Sequence, residues 1–336
     1  MASRLGGQEH RRALESFLST TSTAVYSTQA NEDSHGIDSL NCTLASLLET
    51  SAMALGPTPI GAFTAIVPCL PMFFSTWETF HTHTLYLGYF NGPTEGLILA
   101  SSIMAASGIF GSEIWHLPLA QLFGNEALLG KVTFIDLWAP IIMFAFFTAH
   151  LPSCVMNVVS ARREKNLPIL PVFLEWTPML VFCGGIMLWL GSPDSTLLRD
   201  NHLCLFCLIL SFVFGRMTTK MILAHLTRQP FPYWTMMLAP LVGGAILVNI
   251  RHLGFPPVSA EIELYYLWAY FFYSMIVYFR WAFVVVNAIC DFLGINCLTI
   301  PKERYEALMN PDNGRSAPAS VPQPVAADTS KGVKGA

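Results

Sequence analysis

The sequence predicts an all-α protein, a polytopic bundle that crosses a lipid bilayer with about eight transmembrane helices. Three observations carry this. Of 336 residues, 53% are hydrophobic and only 12% are charged, where a soluble domain has about 25% charged residues. The apolar residues fall into runs of about twenty, enough to cross about 30 Å of hydrocarbon at 1.5 Å per residue. The runs do not alternate apolar with polar as barrel strands do, so helices are left to satisfy the backbone inside lipid.

In chain order, residues 1–34 are polar and Ser/Thr-rich, with no apolar stretch of a secretory signal, and are read as a disordered or atypical segment. The expected spans are 38–56, 60–77, 94–111, 133–151, 172–190, 203–225, 234–250 and 262–290. The first carries Asp38, Asn41 and Glu49 on an otherwise apolar stretch of Leu, Ala and Met. Breakers punctuate the rest: Gly56-Pro57, Asn91-Gly92-Pro93, Pro168 to Pro171, Gly191-Ser192-Pro193, Pro230 to Pro232 and Gly254 to Pro257. The aromatics from Tyr265 to Tyr273 read as an interfacial belt. Residues 302–336, rich in Ala, Pro, Ser, Gly and Lys, have too little apolar surface to offset chain entropy and are expected to be disordered.

Arg162, Arg163, Lys165, Arg228, Lys302 and Arg304 collect on one side, against Lys131, Arg199 and Arg251 on the other. This bias places both termini, the 78–92 loop and the start of the first span in the cytosol. A net charge of -4 and the lack of a dense basic cluster argue against a nucleic-acid partner. Cys204 and Cys207 form a CxxC with no second pair, and read as small buried hydrophobes.

Polar residues at membrane depth are costly and are functional candidates by default. In Asp33-Ser34-His35-Gly36-Ile37-Asp38, positions 34 and 38 lie one turn apart. Carboxylates so placed hold a divalent cation, although Asp38 or Ser39 also reads as a helix cap. His81 and His83, with Glu78, are expected in a wet cytosolic loop, where they touch a phosphate or headgroup or simply face water. Glu95 binds substrate or compensates a helix N-terminus. Arg216 and Lys220, one turn apart, attract a nucleotide's phosphates or snorkel to lipid, and His225 follows on roughly the same side. Asp136 and Glu175 are expected to face headgroups.

The string HGIDSLNCTLASLLETSAMALG, beginning at His35, resembles the end of the signature of the CDP-alcohol phosphotransferases, in their eukaryotic choline/ethanolamine branch. WETFHTHTLYLGYFNGPTEG from Trp77, GRMTTKMILAHLTRQ from Gly215 and RWAFVVVNAICDFLGINCLTIP resemble later stretches of the same family, in the same order. The resemblance marks 35–301 as one membrane domain. It implies transfer of phosphocholine or phosphoethanolamine from the CDP-alcohol to diacylglycerol in the endoplasmic reticulum or Golgi. It implies Mg²⁺ or Mn²⁺ where the site is intact, His35 and Asp38 as catalytic residues, and Asp38 with Asp33 as metal ligands. It implies His81, His83, Glu95, Arg216 and Lys220 as substrate contacts, and a homodimer or pairing with a full-length homologue as the assembly.

The signature opens with DGxxAR, and no Asp-Gly pair occurs in this chain. Ser34 stands where the family carries its third aspartate. Asp33 is one place early, about 100° around a continuous helix from the ideal face. A hydroxyl is a far weaker ligand for a hard cation than a carboxylate. The expectation is therefore little or no transferase activity for this polypeptide alone. Its alternative role is an inactive lipid-binding or partner subunit.

Overall fold

The computed structural model describes residues 43–82, 92–123 and 131–293, with side chains for all of these except 92–95, 97, 122, 123 and 291–293. The described chain is helical, and its only β-type pairing is an isolated bridge from Pro118 to Thr133. The helices are α1 (43–52), α2 (Pro59–Ile66), α3 (Cys69–Thr82), α4 (Gly92–Phe110), α5 (Leu119–Phe123), α6 (Phe134–Ala145), α7 (Leu151–Glu164), α8 (Thr177–Leu190), α9 (Leu203–Leu226), α10 (Leu238–Val248) and α11 (Ala260–Leu293). The contacts divide the chain into one unit of residues 31–278 and another of 1–30 with 279–336. The second is described only for 279–293, the last turns of α11.

Among the described residues, five stretches are long and apolar enough to cross a membrane: Pro59–Thr82, Phe134–Glu164, Leu170–Leu190, Leu203–Leu226 and Ala260–Cys290. With the shorter apolar helices Ile98–Phe110 and Leu238–Val248, they make an integral membrane helical bundle. Several bounds differ from expectation. The second span runs on to Thr82, and the fourth to Glu164. The seventh narrows to the 11 residues of α10, about 16 Å at 1.5 Å per residue. The extended stretch before it, interrupted at Pro230 and Pro232, leaves too little chain for a full-length helix there.

Local chemistry explains the helix ends. Thr58 caps α2 by accepting from Gly61 N (3.1 Å), with Pro59 in the first turn. Thr133 and Asp136 close a capping box on α6. Asp136, expected to face headgroups, is exposed and also accepts from Thr133 N (2.9 Å) and Thr133 Oγ1 (2.8 Å). A π turn at Phe146–His150 joins α6 to α7. Pro152 follows it and lacks the N–H that would bond the Thr148 carbonyl, so the ladder widens there. Gly254 ends the turn Ile250–Leu253 at φ +87°, where a Cβ would be strained.

The core of the 31–278 unit lies among α3, α7, α8, α9, α10 and α11, around Phe73, Trp77, Phe182, Trp189, Phe206 and Phe214. In lipid there is little hydrophobic drive between helices, so close packing and hydrogen bonds hold them. Small residues make the closest approach: Gly185 and Gly244 sit where α8 meets α10, against Leu241 and Trp189. The expected aromatic belt on α11 divides by face. Tyr265, Trp268 and Phe272 point outward, while Tyr270 is buried and donates to the Met237 carbonyl (2.7 Å). Among the described cysteines none is in a disulfide. Cys207 is buried as expected, but Cys204 is exposed on the outer face of α9.

Candidate functional site

The last turns of α3 gather polar groups from three other elements and from Lys165, just beyond α7. Glu78 and His81 lie one turn apart on α3 and are buried, at 7% and 8% exposure. Their expected place in a wet loop is corrected: α3 continues to Thr82 and carries both inward. It does so because partners across the bundle satisfy them, which the local sequence does not reveal.

Asn157 on α7 donates its Nδ2 to Glu78 Oε1 (2.6 Å), and Cys154 lies one turn earlier, within electrostatic reach of the same carboxylate. Glu175, in the 3₁₀ turn Leu170–Trp176 before α8, is buried to 7%. Its Oε2 accepts from Trp77 Nε1 (2.9 Å) and from His81 Nε2 (2.6 Å). Glu175, expected to face headgroups, is thus an interior residue. Lys165, just beyond α7, donates to the His81 carbonyl (3.2 Å). His225 on α9 donates Nδ1 to the Phe80 carbonyl (3.2 Å). Both carbonyls lie in the last turn of α3, where no intrahelical donor remains.

Burying carboxylates at a membrane-helix end is expensive unless each is hydrogen-bonded. Removing one partner then costs more than the bond contributed. Asn157→Leu is expected to lower stability by about 2 kcal/mol, the scale of a lost hydrogen bond to a charged group. Thermal melting followed by tryptophan fluorescence in detergent reads this, and an unchanged midpoint would contradict the role assigned to Asn157.

The other sequence-predicted residues are placed differently. Lys220 donates to the Trp234 carbonyl (2.9 Å), tying α9 to the segment before α10. Arg216 lies one turn earlier on α9, with Tyr273 of α11 within electrostatic reach. Glu95 lies in α4, but its side chain is outside the described residues, as are Asp33, His35, Asp38 and His83 altogether. The structure therefore brings His81 together with Glu78 and Glu175. Asn157, Lys165 and Trp77 were missed. The usable signal was the price of Glu175 beside an apolar span, which calls for a buried donor.

Among the described residues, no group of three or more His, Cys, Asp or Glu side chains gathers as a cation would need. Glu78 and Glu175 already accept from Asn157, Trp77 and His81, so they do not fit a Mg²⁺ site.

No family model matches the chain. Individual relatives do. A CDP-alcohol phosphatidyltransferase class-I family protein of Schizosaccharomyces pombe is 30% identical over 280 residues, covering 80% of this chain and 68% of that one. Choline/ethanolaminephosphotransferase 1 of Arabidopsis thaliana is 28% identical over 282 residues, covering 80% and 70%. Choline/ethanolaminephosphotransferase 1 of Saccharomyces cerevisiae is 25% identical over 294 residues, again covering 80% and 70%. Similarity of this length, over four fifths of the chain at up to 30% identity, is that of shared descent: the chain belongs to the CDP-alcohol phosphatidyltransferase class-I family.

Proposed function

We infer that this chain serves phospholipid synthesis by binding CDP-choline or CDP-ethanolamine and diacylglycerol, the substrates of phosphocholine and phosphoethanolamine transfer. The observation that carries this reading is the run of relatives named choline/ethanolaminephosphotransferase, each aligned over 80% of the chain. The helical bundle supports it, because the acceptor is a membrane lipid and one end of the bundle gathers polar side chains.

In the reaction so assigned, the diacylglycerol hydroxyl oxygen bonds to the phosphorus that bears the amino alcohol. The bond from that phosphorus to the bridging oxygen breaks, and CMP leaves with the electron pair. The hydroxyl proton passes to a base, the role given to His35, since a neutral alcohol is a weak nucleophile. His81, His83, Glu95, Arg216 and Lys220 are assigned to substrate, with the active face in the cytosol of the endoplasmic reticulum or Golgi. Mg²⁺ or Mn²⁺, when bound at Asp38 with Asp33, supplies charge neutralisation at the diphosphate. A homodimer, or a pair with a full-length homologue, is the assembly this reading favours.

With Ser34 in place of a carboxylate, this polypeptide is expected to bind the CDP-alcohol yet turn it over near background. The assay is transfer of the phosphocholine group from choline-labelled CDP-choline to diacylglycerol in detergent with Mg²⁺, beside equilibrium binding of CDP-choline. Ser34→Asp returns a carboxylate one turn before Asp38 and is expected to raise turnover. A family-typical rate in the unmodified polypeptide would refute its inactivity. Absence of CDP-choline binding would refute the substrate assignment itself. The second reading, a non-catalytic partner subunit, is favoured by the same Ser34 and would show as co-purification with an active homologue.

A further inference from the structure

Glu175 and His81 form a pair whose geometry is asymmetric. The carboxylate holds one edge of the imidazole, Nε2, at 2.6 Å, and steadies itself with the Trp77 indole on the same oxygen. A carboxylate accepts and does not donate in its ionised form, so Nε2 carries the hydrogen. The other edge, Nδ1, has no hydrogen-bond partner among the described residues. It is also absent from the sealed-off unpartnered atoms, which include Trp176 Nε1, Thr235 Oγ1 and Ser274 Oγ. The ring is held edge-on by Trp77 and Phe80, at centroid distances of 5.7 and 5.2 Å. The backbone beneath it is fixed from two further sides, by Lys165 and His225.

A histidine needed only to fill space would not require a buried carboxylate to orient it. An aliphatic pair would pack there without the desolvation cost. We propose that Glu175 is a positioning residue for substrate: by holding His81 Nε2 it presents His81 Nδ1 to a phosphate oxygen of the CDP-alcohol. This rests on the transferase reading above, and it adds to that reading the contacting atom and the residue that aims it.

Two isosteric changes separate contact from support. The amide nitrogen of Gln occupies the place of Nε2, and that of Asn the place of Nδ1. His81→Gln keeps the bond to Glu175 and loses the open edge. His81→Asn does the reverse. The experiment is equilibrium binding of CDP-choline to the whole polypeptide in a phosphate-free maltoside detergent, with melting measured on the same samples. His81→Gln is expected to hold its melting point and weaken CDP-choline binding about ten-fold or more, the scale of one hydrogen bond to a charged group. His81→Asn is expected to lower the melting point while losing less affinity. Wild-type affinity in a normally melting His81→Gln would overturn the proposal. Should His81→Gln melt early, Glu175→Gln decides: a normal melt with weakened binding supports the proposal, and unchanged binding overturns it. Dihexanoylphosphatidylcholine is the second probe. If its binding alone depends on His81, the edge serves a lipid phosphate and the nucleotide assignment fails. If the unmodified polypeptide binds no CDP-choline, the transferase reading falls first, which is distinct from failure of the pair.

Discussion

Glu263→Leu is expected to destabilise the protein by about 4 kcal/mol or more, because one buried carboxylate serves four donors. Glu263 is 3% exposed in the first turn of α11. Its Oε1 accepts from Trp189 Nε1 (2.8 Å) and Ser195 Oγ (2.9 Å). Its Oε2 accepts from Thr196 N (2.7 Å) and Thr196 Oγ1 (2.8 Å). The two hydroxyls can rotate to other acceptors once the carboxylate is gone. The indole and the Thr196 amide cannot, and each buried orphan costs about 1–3 kcal/mol. To this is added loosening of the 191–202 connection, whose other polar anchors are the partly exposed pair Arg251–Asp194 (3.4 Å) and the Ser192 hydroxyl on the Val248 carbonyl (3.2 Å), beside the buried Leu197. A surface pair of that kind contributes little. Glu263→Gln should fall between, since one of its two amide atoms turns a donor toward donors. Melting in detergent and the rate of proteolytic cleavage within 191–202 are the measurements. A Glu263→Leu variant that melts with the parent and resists cleavage would show that the four bonds do not hold the connection.

Glu263 also shows why the sequence revealed the bundle better than its polar interior. Runs of twenty apolar residues made the spans readable, and breakers such as Gly56-Pro57 and Gly254 marked ends that the structure keeps. Helix ends set by backbone chemistry, such as the Thr133–Asp136 box, lie within four residues of chain and are local in principle. The pairings that place Glu78, Glu175 and Glu263 are not local. Their partners lie 79 residues away for Glu78, 94 and 98 for Glu175, and up to 74 for Glu263. A charge near an apolar run therefore read as a loop or headgroup-facing residue, since that needs no partner. The same limit explains α3. Its last turn looked too polar for a helix in lipid until Asn157, Lys165, Glu175 and His225 were brought to it. The aspartate cluster at 33–38, the strongest site signal in the sequence, lies outside the described residues.

Gly244→Ala is expected to be the most damaging single methyl in the bundle. A Cβ built there stands 2.0 Å from Trp189 Cζ3 and 2.1 Å from Cη2, where carbon atoms need about 3.5 Å. Something must move more than an ångström. The ring is the less yielding side. Trp189 is fully buried, bonded through Nε1 to Glu263, and packed against Phe206 and Tyr266 at 5.2 and 5.8 Å. Helix α10 must then lift from α8, loosening Gly185 from Leu241 as well, a place so close that a Cβ built on Gly185 would stand 2.9 Å from Leu241 Cγ. Overpacking of this kind costs about 1–3 kcal/mol and sometimes more. Neighbouring glycines set the scale. At Gly243 the added carbon meets only the Tyr266 hydroxyl, at 2.7 Å, so a smaller loss is expected. At Gly184 nothing lies within 4 Å, so alanine should be neutral or raise stability through its helix propensity. Melting of the three variants should rank Gly184→Ala above Gly243→Ala above Gly244→Ala. Trp189→Leu in the Gly244→Ala background should recover part of the loss, a coupling that a double-mutant cycle measures directly. Additivity of those two changes would mean that the ring and the glycine do not share the space the packing assigns them.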